Sequence, residues 1–394
     1  MGLSIWNASP LIVLRMMLRS FMMMIALVTM IKLDNRFISP YHKVDYVDRL
    51  QSMTVKEIAE LAKVSIGTVD RVMYRRGRVS AETKARIEAI IAQYQFTPNP
   101  IARQLKRNRA YRFCVFLPRR DQDAGYWDQV LEGIREGLKE IAPLGVEMEI
   151  IEFDRYSPKE FRKASGALWA EQFDGILLSP IIPKKTKLLI DTIHEKKIPY
   201  IFFDADLPET QPLCAIGQDS FRGGYLAGRL MHLLVGSKVR KPLAVLDAHG
   251  EDYHITRRRD GFLRYTEEQG FLTVVQEYSG YKGVEISVDE IALFLKDHPD
   301  LGGIFITNCM AHRVAAATKR QKRKHPFVLV GYDLIPKNRE LLRDGEIDAI
   351  ISQRPEEQGR LALLNLYRHI VLEQQIPLKM EIPLDVYFKE NIPL

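Results

Sequence analysis

Two hydrophobic periods succeed one another along this chain, and the change between them marks its main division. From Thr54 to Phe96 apolar residues return at helical spacing. In "MTVKEIAELAK" they are Val55, Ile58, Ala59 and Ala62; in "VSIGTVDRVM" they are Val69, Val72 and Met73; in "SAETKARIEAIIAQYQF" they are Ile87, Ile90, Ile91 and Tyr94. Recurrence at i, i+3 and i+4 predicts an apolar face on each of three short helices. Each run opens on a hydroxyl that can accept from the first turn: Thr54, with Glu57 completing a capping box, then Ser65 and Ser80. Only Lys63 and Val64 remain to join the first two helices, which therefore read as a helix-turn-helix whose core the third completes.

Beyond Arg112 short runs of strand length take over: "RFCVFLP", "VEMEIIEF", "GILLSP", "PYIFFD", "LCAIGQD", "LAVLDA", "TVVQEYS", "GGIFITN", "FVLVGYD" and "IDAIISQ". Most close on Pro, Asp, Asn or Gly, as buried parallel strands do. Helical stretches such as "QVLEGIREGLKEI", "KKTKLLIDTIHEK", "FRGGYLAGRLMHLLV" and "EEQGRLALLNLYRHIVLE" separate most of them. Repeated βα units imply doubly wound parallel sheets, and the roughly 280 residues after Arg112 exceed what one such sheet usually needs. The expected class is α/β, an all-α helix-turn-helix domain at 53–99 leading through a linker at 100–111 into a two-lobed core at 112–394. Lobe 1 is placed at about 112–218 plus 354–382, and lobe 2 at about 219–353 plus 383–394.

Composition is ordinary for two or three soluble domains, with 394 residues, 46% hydrophobic and 27% charged. Charge distribution says more. Residues 53–112 hold 13 Lys+Arg against 5 Asp+Glu, net +8; residues 1–52 hold 6 against 3, net +3; the total of +7 leaves −4 for the remainder. Basicity is local to the helical module, so a polyanion is expected there and not at the core. Cys114, Cys214 and Cys309 are far apart and each borders an apolar run, which suits buried thiols in a reducing compartment better than a disulfide framework or a metal site.

Residues 1–52 fit neither part. "SPLIVLRMMLRSFMMMIALVTMIKL" is apolar, but Arg15 and Arg19 interrupt it, and its longest uncharged run, Ser20 to Ile31, has 12 residues, too few to span a bilayer. No clear small-residue cleavage site follows. Met53 stands directly before the first capping box, so translation is expected to start there, with 1–52 an extension outside the native protein. A membrane-tethered regulator is the rival expectation.

Candidate chemistry falls in two places. Opposite the apolar face of "VSIGTVDRVMYRRGRVS" stand Ser65, Thr68 and Arg71 at i, i+3 and i+6, followed by Arg75, Arg76 and Arg78 around Gly77. Cations held so close want a polyanion nearby, although a helical bundle with a solvated basic face would show the same periodicity. In the α/β part, ligands sit at the carboxyl ends of strands. Those ends carry Asp123 with Tyr126 and Trp127, then Asp204 and Asp206, Asp219, Asn308, Asp333 and Gln353, while "ITRRRDGF" adds Arg257 to Arg259 and His249 and His254 stand nearby. Acids, amides, an arginine and aromatic rings suit the hydroxyls and C–H faces of a sugar, although each residue alone could be a strand-end turn or a helix cap. No Walker loop, G-x-S-x-G elbow, H-E-x-x-H or Cys/His cluster appears, so the chain reads as no enzyme, and neither cofactor nor metal is expected.

From "MTVKEIAELAKVSIGTVDRV" through "VSAETKARIEAIIAQYQFTPNPIARQL" the chain resembles the lac repressor family of bacterial transcription regulators. The resemblance implies that Ile66, Gly67 and Arg71 read base edges and that Thr54, Ser65 and Thr68 hold phosphates, with Arg75 in the basic turn. Arg71 suits guanine O6 and N7; Ile66 could touch only a thymine methyl, and Gly67 brings no side chain. Asp70, where serine is commoner, could accept from a cytosine amino group or pair with a neighbouring arginine. The stretch from Pro100 implies a hinge helix that places Leu105 in the minor groove as a wedge.

The core resembles the periplasmic sugar-binding proteins, which implies ligand contacts from Asp123, Tyr126, Trp127, Asp204, Arg258, Asn308, Asp333 and Gln353. Ala205 stands where sugar binders often have an arginine, and Asp123 where they often have an amide. The expected partners are double-stranded operator DNA, a sugar, sugar acid or polyol as effector, and a second copy in a homodimer or a larger tetramer. The expected setting is the bacterial cytoplasm at the nucleoid. An exported sugar receptor of a transport system is the rival of another class.

Overall fold

The computed structural model describes residues 53–74, 76–94, 96, 109–236, 241–248, 252–278, 286–321 and 327–393. Residues 1–52, Arg75, most of the 100–111 linker with Leu105, and His249 lie outside the described residues. The chain divides into two units, Met1–Pro98 and Asn99–Leu394.

In the first unit, helix α1 (Val55–Leu61) starts at Thr54, whose hydroxyl accepts from the Glu57 amide while the Glu57 carboxylate accepts from the Thr54 backbone. Helix α2 (Ile66–Met73) starts at Ser65 and α3 (Ala81–Gln93) at Ser80, each hydroxyl accepting from the amide three residues on. Lys63 takes a left-handed conformation (φ 53°) in the turn between α1 and α2. Ile58, Ala59, Ala62, Val69, Val72 and Ile87 form the buried centre, with Ile90, Ile91 and Phe96 packed on its edge. Tyr94 departs from the expected pattern: it is 49% exposed, standing as the C-cap just past the last regular turn of α3 at Gln93.

The second unit carries two sheets. Strands β1 (Tyr111–Pro118), β2 (Val146–Phe153), β3 (Gly175–Leu178), β4 (Tyr200–Phe203) and β5 (Cys214–Gly217) form the first, with β11 (Lys379–Glu381) at its edge, in the order β11-β5-β4-β3-β1-β2. Strands β6 (Leu243–Ala248), β7 (Thr273–Tyr278), β8 (Gly303–Ile306), β9 (Val328–Tyr332) and β10 (Ala349–Ser352) form the second, with β12 (Asp385–Tyr387), in the order β12-β10-β9-β8-β6-β7. All pairings are parallel except β10 with β12, which is antiparallel and closes one edge. The ten runs read as strands are β1 to β10; β11 and β12, of three residues each, carry too short a pattern to stand out in the sequence.

Helices α4 (Tyr126–Ile141), α5 (Pro158–Ala167), α6 (Pro183–Glu195) and α12 (Pro355–Ile370) belong to the first lobe; α7 (Ser220–Val235), α8 (Tyr253–Glu268), α9 (Val288–Asp297), α10 (Ala311–Gln321) and α11 (Pro336–Arg343) belong to the second. Two helix pairs approach closely at glycines. A Cβ on Gly133 of α4 would lie 1.8 Å from the Glu356 carbonyl oxygen of α12, and one on Gly224 of α7 would lie 1.8 Å from that of Arg258 in α8.

The backbone passes between lobes three times: after β5, after β10, and between β11 and β12. One buried amide ties these crossings together. Gln218 Nε2 donates to the carbonyls of Ser352 (2.8 Å) and Pro383 (2.7 Å). A second, Gln358, accepts from the Asp204 amide and donates to the Gln353 carbonyl, both at 2.8 Å, linking a strand end of each lobe. Cys114, Cys214 and Cys309 are buried and unbridged.

Candidate functional site

On α2, the start of the helix is turned outward. Ser65, Gly67 and Arg71 are exposed, Ile66 is 42% exposed despite its aliphatic side chain, and Thr68 and Asp70 are half-buried. These are the residues opposite Val69 and Val72, so the capped first turn forms one accessible face with Arg71 a turn and a half behind it. Ser65 Oγ lies 2.9 Å from Thr68 Oγ1, and the Thr54 hydroxyl donates to Glu57 Oε2 at 2.9 Å. Gly77 takes φ +72° beside the Arg71 stem, whose Cδ would lie 3.4 Å from a Cβ there. Of the two expectations for Asp70, pairing with an arginine is not realised among the described residues.

In the α/β unit the eight residues expected to contact a ligand come to one place. Asp123, Tyr126, Trp127, Asp204, Arg258, Asn308, Asp333 and Gln353 are all buried and line a single cavity between the lobes, together with Arg155, Asp252 and His254. The free space there is about 30 Å³, a sixth of the 180 Å³ in the neighbouring cavity. Access for anything the size of a sugar therefore requires the lobes to part. Asp206 is exposed and holds the Leu207 amide, and Asp219 caps α7, so both serve as local backbone acceptors.

Lobe 1 contributes a rigid acid and aromatic wall. Asp123 and Ala124 sit in left-handed conformations (φ 51° and 54°) in the turn before α4, and Asp204 does so after β4 (φ 71°). Non-glycine residues hold such conformations only where their surroundings fix them, and they gather at functional sites. Trp127 Nε1 donates to Asp123 Oδ2 at 2.6 Å, and the Tyr126 hydroxyl donates to Asp204 Oδ1 at 2.6 Å. Burial raises the Asp204 carboxyl above the ordinary range against the pull of the Tyr126 hydrogen bond, and burial with the nearby acids holds the Tyr126 phenol firmly protonated.

Lobe 2 answers with a guanidinium. Arg258 from α8 donates to the Thr307 carbonyl (3.0 Å) and to Gln353 Oε1 (2.9 Å), and lies 3.8 Å from the Tyr332 ring centroid, a close cation–π contact. Its Nε finds no acceptor among the described residues. Gln353 Nε2 in turn donates to Asp333 Oδ1 at 2.9 Å, and Asp333 holds φ 65° after β9. Burial lifts the Asp333 carboxyl to about 7, with Arg258 opposing and Asp204 adding. Asn338 pins the turn below by donating to the carbonyls of Cys309 and Asp333.

Two lining residues escape the strand-end inspection. Arg155 follows β2 by two positions and bonds both Asp123 of its own lobe and Asp252 of the other. Asp252 stands at the N-cap of α8 but makes no cap bond with its side chain, which goes to Arg155 instead. Burial lifts Asp252 to about 7 with Arg155 opposing; burial also works against charge on Arg155, and Asp123 and Asp252 outweigh it. The run "EFDRYSP" is a strand end like the others, and inspecting it in the same way points to Arg155.

A polar, ion-rich cleft between two doubly wound lobes, in a chain that also carries a helix-turn-helix, defines a ligand-binding protein joined to a module of the DNA-reading type. The chain belongs to the periplasmic binding protein domain family, whose model matches residues 114–374, and residues 54–99 match that of the bacterial regulatory proteins of the lacI family. It is 29% identical over 218 residues to the HTH-type transcriptional regulator DegA of Bacillus subtilis (strain 168), covering 55% of this chain and 61% of DegA. It is 26% identical to the ribose operon repressor of Halalkalibacterium halodurans, covering 72% of this chain and 81% of that one. Among solved structures, GanP, a glucose-galactose binding protein from Geobacillus stearothermophilus, superposes with a TM-score of 0.64 at 25% identity, over 72% of this chain and 99% of GanP. No described helix is long and apolar enough to cross a membrane.

Proposed function

We propose that this chain is a sequence-specific DNA-binding transcription regulator, acting as a repressor, whose operator affinity is set by a sugar or polyol bound between its lobes. The observation that carries the reading is the union, in one chain, of an outward-facing capped helix of the lacI type and a cleft lined by eight buried polar and aromatic residues. Relatives named as regulators and repressors support the first half, and the likeness to a glucose-galactose binding protein supports the second.

In this account α2 lies in the major groove, with Arg71 on a base edge, Thr54, Ser65 and Thr68 at phosphates, Arg75 beside them and Leu105 in the minor groove. The working form is a homodimer in the bacterial cytoplasm. Ligand entering the cleft changes the rotation between lobes, and hence the spacing of two recognition helices, and a dimer grips two half-sites at one spacing only. A differential affinity of about 1–3 kcal/mol between the two states is enough for a 5- to 150-fold change in operator binding.

The test is selection of bound fragments from randomised duplex DNA by the full chain. A recovered two-fold symmetric site supports the reading. Recovery of no consensus, with saccharides still stabilising the protein, would instead favour an exported solute receptor.

A further inference from the structure

A second cavity, of about 180 Å³, adjoins the interlobe cleft and shares Asp204 and His254 with it as common walls. It is also lined by Phe221 of α7, Tyr253 and Arg257 of α8, and Lys379 of β11. The aromatic surface there is accessible: Tyr253 is 42% exposed, while the Arg257 guanidinium lies 4.8 Å from the Phe221 ring centroid. An aromatic face flanked by long donors accepts the C–H face of a sugar ring and the hydroxyls around it.

Charge restricts the ligand further. The cleft holds Asp123, Asp204, Asp252 and Asp333 against Arg155 and Arg258. The adjoining cavity holds Asp204, Asp206 and Asp219 against Arg257 and Lys379. With Asp252 and Asp333 lifted to about 7 the cleft is close to charge balance, and the adjoining cavity holds three carboxylates against two cations, so neither gives a phosphate or a sugar acid a net positive site, whereas neutral hydroxyls find acceptors for their protons.

We infer that the effector is a neutral saccharide of two units, one ring in the cleft between the lobes and the second in the adjoining cavity against Tyr253. This rests on the reading of the cleft as the effector site and adds the size and charge of what enters it. Tyr253 is then the residue that discriminates a disaccharide from its component sugars.

The experiment is calorimetric titration of the full chain with glucose, galactose, fructose, maltose, cellobiose, lactose, melibiose and sucrose, and with glucuronate and glucose 6-phosphate. The expected result is a neutral disaccharide bound at least tenfold more tightly than either of its component sugars. Tyr253→Ala should remove that advantage while leaving the affinity for the component sugar in the cleft and the melting temperature unchanged; Lys379→Ala, at an exposed strand end, should reduce it independently. A monosaccharide bound as tightly as any disaccharide, or an acidic sugar preferred, overturns the inference and leaves the effector site standing. Binding of none of these compounds overturns the inference together with the saccharide reading of the cleft.

Discussion

The guanidinium of Arg155, from the first lobe, bonds the carboxylate of Asp252, from the second, inside the cleft. Both side chains are 8% exposed, and Arg155 also holds Asp123. This ion pair joins the lobes at the place where a ligand must enter, so the force that holds the cleft shut belongs to the site itself.

Breaking one partner of a buried ion pair leaves an uncompensated charge and costs about 3–5 kcal/mol. Arg155→Met leaves Asp123 and Asp252 facing each other without their cation. Urea unfolding followed by tryptophan fluorescence should show a loss of that order in the core, and Arg155→Met with Asp252→Leu should recover part of it. An unchanged midpoint in the single variant would mean that the pair contributes nothing to closure.

A raised carboxyl makes a pH prediction. Asp333 is pushed up to about 7, mainly by burial, whereas unfolded aspartates titrate at about 4. Between those values the folded state binds more protons than the unfolded one. The stability Asp333 contributes is full below about pH 4 and falls as pH rises to about 7, by roughly 1 kcal/mol per pH unit. Asp333→Asn, which stays neutral, should flatten the slope of unfolding free energy between pH 4 and 7. A slope as steep as that of the unaltered chain would contradict this.

Helix packing makes a third. Gly224 lies against the backbone of Arg258, where a Cβ would sit 1.8 Å from a carbonyl oxygen, so Gly224→Ala must push α7 from α8. Overpacking of this kind costs typically about 1–3 kcal/mol. Because Arg258 is on the displaced helix, ligand affinity should fall along with melting temperature, whereas Gly166→Ala, on α5 with open space around it and no left-handed backbone, should leave ligand affinity unchanged.

At the helical module, Arg71→Ala should weaken operator binding by about 1–3 kcal/mol and relax the preference at one base pair, since a bidentate arginine contact is worth that much. Ser65→Ala removes the α2 cap and should cost about 1 kcal/mol of module stability. Binding isotherms on single-base operator variants separate the two effects.

How much of this was legible in the sequence depended on the length of the signal. The ten strands and the caps at Thr54, Ser65 and Ser80 were readable because each rests on several residues in a fixed pattern. Strands β11 and β12 were not, since three residues hold no period and their pairing depends on where the chain crosses between lobes. Strand ends led to Asp123, Asp204, Asp333 and Gln353 because a parallel sheet brings its carboxyl ends to one side. Asp252 could not be found that way. It precedes a helix, looks like a cap, and becomes part of the cleft only through an arginine 97 positions earlier.

The most direct test of the whole account is fluorescence anisotropy of labelled DNA from upstream of the chain's own gene, titrated with the full chain at fixed salt, with and without each neutral saccharide. The account predicts a specific complex whose affinity changes at least about fivefold with one saccharide, in line with ordinary allosteric coupling. A specific complex indifferent to every saccharide that binds the protein would contradict it, because the cleft and the recognition helix would then be uncoupled.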